Sequence, residues 1–406
     1  MTEALQTIRR TPALVDHESY LRTTSLCFAL GHGARHDPHG AAGTTHMLEH
    51  LLMSAPLADG ISVAQHIERL GGSCNATTGP ESLVVHAQVL DQDAERIIEL
   101  LGEALLRPRL SQECLDSERR VVLQELTAAA TDPADAVQDA FLARLFATHP
   151  LASPVGGLAE TVSGIGLADV QDAYTRALAL APRTVAVVGG LSKDRVMTAL
   201  AGSGLLDIPS AATEPPEDAA PGPVAPGTDE AWPDEFCWMM VGGRAPRARD
   251  PRRLTYTVLA HLLGSSPASL LYARFRGQEA LAYYFSSWSR TYTDSGAWRM
   301  LAGCEPGNAP RLLSAFREVL HCVAAGSTAP GDFAAAVHQA VVEKVLDAES
   351  PLNRAIRLAS RGILADDRWD PEHDIAALRQ VTPDQVAEAA AELAAGLVSV
   401  VRPERS

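Results

Sequence analysis

The sequence divides into two parts of similar length that present strands and helices in the same coarse order. Residues 205–231 lie between them and accumulate proline, alanine, glycine and acidic residues without apolar periodicity, which predicts a linker. At 406 residues the chain is longer than one ordinary core requires and suits two domains of about 200 residues each. We therefore predict two domains, residues 1–204 and 232–406, that arose by duplication.

Both parts combine β-rich runs with segments of helical apolar spacing, so each is predicted to be an α+β unit. In the first part, strands are expected within 12–30, in SCNATT and SLVVHAQVL, which Gly79-Pro80 joins as a hairpin, and in RTVAVVGG. Helices are predicted there at 44–53, 61–70, 92–106, 111–131, 134–148 and 168–179. In the second part, strands are predicted at 235–243, 281–288, 295–303 and 396–402, and helices at 252–264, 268–277, 307–323, 330–348, 351–363 and 383–395.

The stretch TTHMLEHLLM holds two histidines and a glutamate at the spacing that a helix needs to bind a metal. Residues three and four apart lie on one helix face, so His46, Glu49 and His50 are predicted to point the same way. Two imidazoles four residues apart can bind one zinc ion, and a carboxylate beside them can accept a proton from the attacking water. The second part of the chain has no such H-x-x-E-H pattern, so only the first is predicted to hold a metal.

A catalytic zinc site uses three protein ligands and keeps one position open, so one ligand must come from elsewhere in the fold. Glu118 and Glu125 stand seven residues apart in one predicted helix, and two helical turns bring them to the same face. The loop before the motif adds histidines that are more often solvated than ligating, namely His32, His36 and His39. The candidates for the third ligand are His66, Cys74, His86, Glu118 and Glu125.

Charge and cysteine usage restrict the partners and the compartment. A formal net charge of −16 offers no basic stripe for phosphates, which argues against nucleic acid and anionic membrane as partners. The six cysteines are spread widely without a CxxC pair, which predicts buried free thiols in a reducing compartment. Residues 1–18 have no apolar run of signal-peptide length, and no later stretch approaches a membrane span. These features together predict a cytoplasmic protein.

The succession HMLEH, LGGSCNATTGPES, ERRVVLQEL and HPLASPVGG resembles the pitrilysin and insulinase family of zinc peptidases. Within that family it is similar to the short-chain branch of mitochondrial processing peptidases and their bacterial relatives. The resemblance implies that His46, His50 and Glu125 bind one Zn2+ per chain. It further implies that Glu49 is the general base and that Glu118 is a second helix carboxylate needed nearby.

The segment SLLYARFRGQEALAY in the second part resembles a family segment in which an arginine and a tyrosine seven residues later reach the substrate. Here these residues are Arg276 and Tyr283, whose guanidinium and phenol are suitable donors to a substrate carbonyl and a developing oxyanion. The sequence departs from the family at Gly277, where glutamate is common, and at Ala280, where glycine is common. Both departures affect the expected shape of this loop.

The resemblance also implies an architecture and a mode of substrate binding. Two homologous α/β sandwich domains, each a mostly antiparallel sheet covered by helices, would form half of a clam-like chamber. A second subunit would complete the chamber, as a homodimer or, alternatively, as a heterodimer with an inactive homologue. An extended peptide would add to the strand at Asn75, Ala76 and Thr77 through backbone hydrogen bonds.

The predicted function is a zinc endopeptidase that acts on peptides or unfolded segments. One alternative is a noncatalytic scaffold of the same fold, and another is the catalytic half of a heterodimer that processes a dedicated precursor. A third is a metal hydrolase that does not act on peptides. The presence of His46, Glu49, His50 and Glu125 together favours the enzyme.

Overall fold

The computed structural model describes residues 11–179, 181–208, 222, 226–227, 232–264, 266–365 and 368–403. The chain forms two compact units, and each takes a segment from the other part of the sequence. The first unit comprises residues 1–126, 153–217 and 347–369, and the second comprises residues 127–152, 218–346 and 370–406. Residues 1–10 and most of the predicted linker 205–231 lie outside the described residues.

The first unit contains a five-stranded sheet in the order β1-β5-β2-β4-β3. Its strands are β1 Ala13–His17, β2 Thr23–Leu30, β3 Ser73–Thr78, β4 Leu83–Leu90 and β5 Arg183–Gly189. Only β1 and β5 pair in parallel, and the other pairs are antiparallel. Strand β3 lies at an edge and pairs with β4 alone, so its other side is available for a further strand.

The second unit contains a four-stranded antiparallel sheet in the order β7-β8-β6-β9. Its strands are β6 Cys237–Arg244, β7 Tyr284–Thr291, β8 Gly296–Cys304 and β9 Val398–Arg402. The two sheets with their helices confirm the predicted α+β class.

Helices cover both sheets and are numbered here in chain order. The first half of the chain supplies α1 Thr44–Ser54, α2 Val63–Arg69, α3 Asp91–Leu106, α4 Gln112–Thr131, α5 Pro133–Phe146, α6 Ala159–Gly164, α7 Leu167–Ala179 and α8 Lys193–Ser203. The second half supplies α9 Arg253–Leu263, α10 Leu270–Tyr272, α11 Ala309–Ala324, α12 Pro330–Glu349, α13 Pro351–Ala365, α14 Pro371–Leu378 and α15 Pro383–Ala395.

Each unit buries both faces of its sheet, one of them under a helix from the other part of the sequence. In the first unit, α13 packs Ala355, Leu358 and Ala359 against the small side chains of β2 and β5. Because Gly362 has no side chain, this helix can approach Thr184 closely; a Cβ there would lie 2.5 Å from the Thr184 hydroxyl. In the second unit, α5 covers β6 and β9 in the same way. The apolar spacing in the sequence can predict these amphipathic helices, but it cannot predict which sheet each helix covers.

Most of the predicted strands and helices are confirmed, and the differences concern a few helices. The predicted helix 268–277 is confirmed over most of its length, but only Leu270–Tyr272 is α-helical and residues 273–278 form a π-helix. The following strand accordingly begins at Tyr284 rather than 281. Helices α6, α8 and α14 were not predicted, although α14 carries Asp370 as its N-cap and a proline at its first position, which is a typical start signal.

All six cysteines are free, as predicted. Burial is confirmed for Cys27, Cys237 and Cys304, whereas the prediction is wrong for Cys322, which is exposed on α11. The Cys237 and Cys304 sulfurs are 3.8 Å apart across neighbouring strands and form no disulfide.

None of the helices in the described part of the chain is long and apolar enough to cross a membrane.

Candidate metal centre

Helix α1 is held at its first turn by a side chain from the preceding loop. One Asp37 oxygen accepts a hydrogen bond from the Gly43 N–H at 2.8 Å, and the other accepts from the Thr45 N–H at 2.9 Å. The Thr45 hydroxyl also donates to Asp37 at 2.5 Å. Asp37 thus satisfies N–H groups that a helix start leaves without partners, and its negative charge suits the positive end of the helix.

The apolar residues of α1 face the core and leave the predicted metal-binding face half-exposed. Met47, Leu48, Leu51 and Leu52 are buried in the first unit, which fixes the rotation of the helix about its axis. The segment PVGG of the HPLASPVGG motif packs against the residues that immediately precede this helix. At Gly157, where φ is +80°, a Cβ would lie 2.3 Å from the Ala42 carbonyl oxygen, so this contact requires glycine.

His46, His50 and Glu125 come together although 75 residues separate the last two. Glu125 Oε2 lies 3.4 Å from His50 Nε2 and 4.0 Å from His46 Nε2. All three ligand atoms lie within 4.8 Å of one another. A tetrahedral zinc ion with bonds of about 2.0–2.1 Å holds its ligand atoms about 3.4 Å apart, so the donor set fits one zinc ion with modest closure. Two neutral imidazole nitrogens and one carboxylate are also the donors of a catalytic zinc site.

Glu118 contacts the ring nitrogen of His50 that does not face Glu125. Its Oε2 lies 3.1 Å from His50 Nδ1, and because a carboxylate can only accept, Nδ1 carries the proton and donates. That tautomer leaves the Nε2 lone pair directed toward Glu125 and available to a metal. Arg119 pairs instead with Asp116 at 2.6 Å, so Glu118 does not depend on its basic neighbour in sequence.

Burial keeps His46 in the form that can bind a metal. Partial burial lowers the pKa of His46 below its ordinary value of 6.5, the nearby His50 lowers it further, and Glu125 raises it in part. The neutral imidazole is therefore favoured near neutral pH. Its Nδ1 is buried without a hydrogen-bond partner among the described residues.

The other candidate ligands lie outside this cluster. His66 pairs with Asp59 at 2.9 Å, while His86 and Cys74 lie on β4 and β3. Within the described ranges, the one group of three or more potential ligand side chains close enough to share an ion is His46, His50 and Glu125.

Glu49, the predicted base, contacts the edge strand. The Thr78 hydroxyl donates to Glu49 Oε2 at 2.5 Å. On β3, Ala76 and Thr78 are buried on one side, whereas Asn75 and Thr77 are exposed on the other. The Ala76 N–H donates to its neighbour's side chain, Asn75 Oδ1, at 3.0 Å, so an added peptide strand would have to displace that bond.

Sequence reasoning missed Asp37 and Thr78. Strand alternation through SCNATT places Thr78 on the side of the sheet opposite Asn75 and Thr77, and that pattern could have indicated it. Asp37 is the harder case, because it lies six residues before Gly43 and reaches the helix only through the shape of the loop.

The loop histidines do not join the metal-binding group. His32 is 5% exposed, so the expectation that it is solvated is wrong, whereas His36 and His39 are exposed as expected. His32 and His36 stack with ring centroids 5.0 Å apart. Burial, together with the charges of His36 and Arg176, lowers the pKa of His32 from 6.5 to about 3.

His32 should make the fold acid-sensitive. Below about pH 6.5 the unfolded chain protonates this histidine while the folded protein does not, so the free energy of unfolding should fall as the pH falls. The loss at pH 5 is about 2 kcal/mol for this group. Urea unfolding of metal-free protein at neutral and acidic pH would measure it. His32→Gln should reduce the difference in the free energy of unfolding between the two pH values, and the exposed control His39→Gln should not. An equal pH dependence in the wild type and both variants would contradict the role of His32.

Arg276 and Tyr283 belong to the second unit. The Arg276 guanidinium donates to the Tyr283 carbonyl oxygen across the π-helix and the turn that follows, and both side chains are exposed. Ala280 has a φ of +51°, which explains why glycine suits that position, and a side chain at Gly277 would meet open space. Neither Gly277 nor Ala280 therefore prevents the side chains of Arg276 and Tyr283 from being exposed.

Comparison with known proteins identifies the family. The family model described as Insulinase (Peptidase family M16) matches residues 14–157, and the one described as Peptidase M16 inactive domain matches residues 164–340. An uncharacterized zinc protease of Mycobacterium leprae is 32% identical over 320 residues, which cover 77% of this chain and 71% of that protein. The beta subunit of the mitochondrial-processing peptidase of Pongo abelii is 24% identical over 313 residues, covering 74% of this chain and 63% of that protein.

The fold comparison agrees with the sequence comparison. A solved structure described as a peptidase M16 inactive domain from Pseudomonas fluorescens superposes with a TM-score of 0.85 over 97% of each chain. Its sequence is 17% identical, so this likeness bears on the fold alone. The two matched segments, the identity to a mycobacterial zinc protease and the shared fold lead to one conclusion: the chain belongs to the insulinase family of peptidases, family M16.

Proposed function

We propose that this chain is a zinc-dependent endopeptidase that cleaves peptides or unfolded segments. The observation that supports it most directly is the approach of the Glu125 carboxylate to His46 and His50, because this donor set suits a catalytic zinc ion. The second helix carboxylate, Glu118, adds the outer hydrogen bond that such sites use to orient a histidine. Residues 1–204 would carry the metal and residues 232–406 would carry Arg276 and Tyr283.

His46, His50 and Glu125 would hold one zinc ion, which supplies a Lewis acid that polarises the scissile carbonyl and makes water acidic. Glu49 lies on the same face of α1 and would accept the proton of the attacking water, then deliver it to the leaving amine. Glu118 would keep His50 in the tautomer that the metal requires. All of these residues lie on α1 or α4.

The substrate would bind as an added strand. The free edge of β3 offers backbone groups at Asn75, Ala76 and Thr77, where an extended peptide could pair. Arg276 and Tyr283 would donate hydrogen bonds to the peptide carbonyl.

A second subunit would complete an enclosed chamber, with a homodimer as the first expectation and a heterodimer with an inactive homologue as the alternative. Location in the cytoplasm remains a prediction from the cysteine pattern.

A combined experiment tests metal, assembly and reaction. The full chain should be purified and its zinc content and native mass determined, and a peptide library should then be digested and the products identified by mass spectrometry. The proposal expects one zinc per chain and internal cleavage that a chelator stops and added zinc restores. Bound zinc without cleavage of any peptide would instead favour the noncatalytic scaffold or a partner-dependent enzyme, and addition of a copurifying homologue separates these two.

Substitution of the second-unit donors should slow turnover and leave the metal in place. Arg276→Ala and Tyr283→Phe each remove a donor to a charge that develops during the reaction, and loss of one such donor typically lowers kcat about 100-fold or more. Steady-state kinetics with a peptide from the library, together with zinc analysis, would measure this. Arg290→Ala, an exposed arginine of β7, provides a matched control. Unchanged kinetics in both donor variants would show that Arg276 and Tyr283 are surface residues without a part in the reaction.

A further inference from the structure

We infer that Thr78 is a positioning residue for Glu49 and so connects the edge strand to the proton-transfer group. The Thr78 hydroxyl donates to Glu49 Oε2 at 2.5 Å, and Thr78 is 8% exposed, so water competes weakly for this bond. With one carboxylate oxygen held by a donor, the rotation of the Glu49 side chain is restricted and its other oxygen is left to face the reacting water. This inference rests on the proposed peptidase function.

Rigid elements hold the Thr78 side of the bond. Thr78 ends β3 opposite Leu83, and the Gly79 N–H donates to the Ser82 carbonyl at 2.7 Å to close the turn. The loop before α1 fastens this turn, since the Ala34 N–H donates to the Gly79 carbonyl at 3.0 Å and the Arg35 N–H to the Pro80 carbonyl at 2.8 Å. The turn is therefore tied both to the sheet and to the segment that leads into the metal-binding helix.

A buried ion pair strengthens the same connection. Arg35 and Glu81 lie in contact, with side chains 4% and 6% exposed, directly beside the turn. The base on α1 and the strand that would receive the peptide are thus fixed to each other through Thr78 and through the loop. A peptide paired with β3 would then meet a carboxylate already held at a defined position, which is the condition for efficient proton transfer.

The inference is tested with Thr78→Val, which keeps the shape and removes the donor, and Thr78→Ser, which keeps the donor. On zinc-loaded full-length protein, Thr78→Val should lower kcat about 10- to 100-fold, as expected for a misplaced catalytic group, with KM and zinc content unchanged. Thr78→Ser should recover most of the rate. Thr11→Val is the control, because the buried Thr11 hydroxyl has no hydrogen-bond partner among the described residues, and it should not change kcat.

Three results with the variants would overturn the inference: an unchanged kcat in Thr78→Val, a Thr78→Ser enzyme as slow as the valine variant, or loss of zinc from the valine variant. The last would mean that Thr78 only supports the fold. Crystal structures of zinc-loaded wild type and Thr78→Val give a test that does not need activity. A wild-type Glu49 carboxylate directed away from Thr78 would refute the inference even in an active enzyme. A zinc-loaded wild type that keeps the Thr78–Glu49 contact but cleaves no peptide, with or without a partner, would instead count against the proposed function.

Discussion

Glu49→Gln should retain zinc and lose peptide cleavage. The amide has the size of the carboxylate and can still accept the Thr78 hydrogen bond, but it cannot take a proton from water. General base catalysis contributes about 100- to 10,000-fold, so kcat should fall within that range with zinc content unchanged. Peptide cleavage followed by chromatography, with metal analysis of the same sample, would measure both quantities.

The exposed Glu68 on α2 provides a control of the same chemistry in the same unit. Glu68→Gln should cleave at the wild-type rate. A Glu49→Gln protein that still cleaves at the wild-type rate would exclude Glu49 as the base, and one that loses zinc would show that Glu49 supports the metal site.

His50→Ala should abolish both zinc binding and cleavage. It removes one proposed ligand and leaves the Glu118 carboxylate without its imidazole partner. Loss of an outer-shell partner alone costs about 10- to 100-fold in metal affinity, so loss of a ligand should exceed that range. Zinc titration followed by thermal unfolding would reveal it, because a metal that binds the folded state raises the midpoint in the wild type but should not do so in the variant.

His66→Ala is the matched histidine control for this experiment. His66 lies on the neighbouring helix α2 and pairs with Asp59, away from the cluster of ligand atoms. It should retain zinc and its stabilising effect. A His50→Ala protein that binds zinc as tightly as the wild type would refute the proposed centre, whatever its activity.

The local part of the site was predictable from sequence. Helical spacing alone places His46, Glu49 and His50 on one face, and seven-residue spacing does the same for Glu118 and Glu125. Strand alternation separates Asn75 and Thr77 from their neighbours. These inferences work because the period of a helix or strand is a property of the backbone, which adjacent residues determine.

Only the tertiary structure decided which distant groups meet. Spacing left five candidates for the third ligand, and the fold brings Glu125 of α4, rather than His66 or Cys74, to the two imidazoles of α1. The contact of Asp37 with Gly43 depends on the shape of the loop. Strand alternation indicates the side of β3 on which Thr78 lies, but not that Thr78 contacts Glu49. The covering of one sheet by α13 and of the other by α5 is likewise set by the complementarity of buried surfaces. Local sequence determines which face of an element is reactive or apolar, but the burial of the whole chain determines what that face contacts.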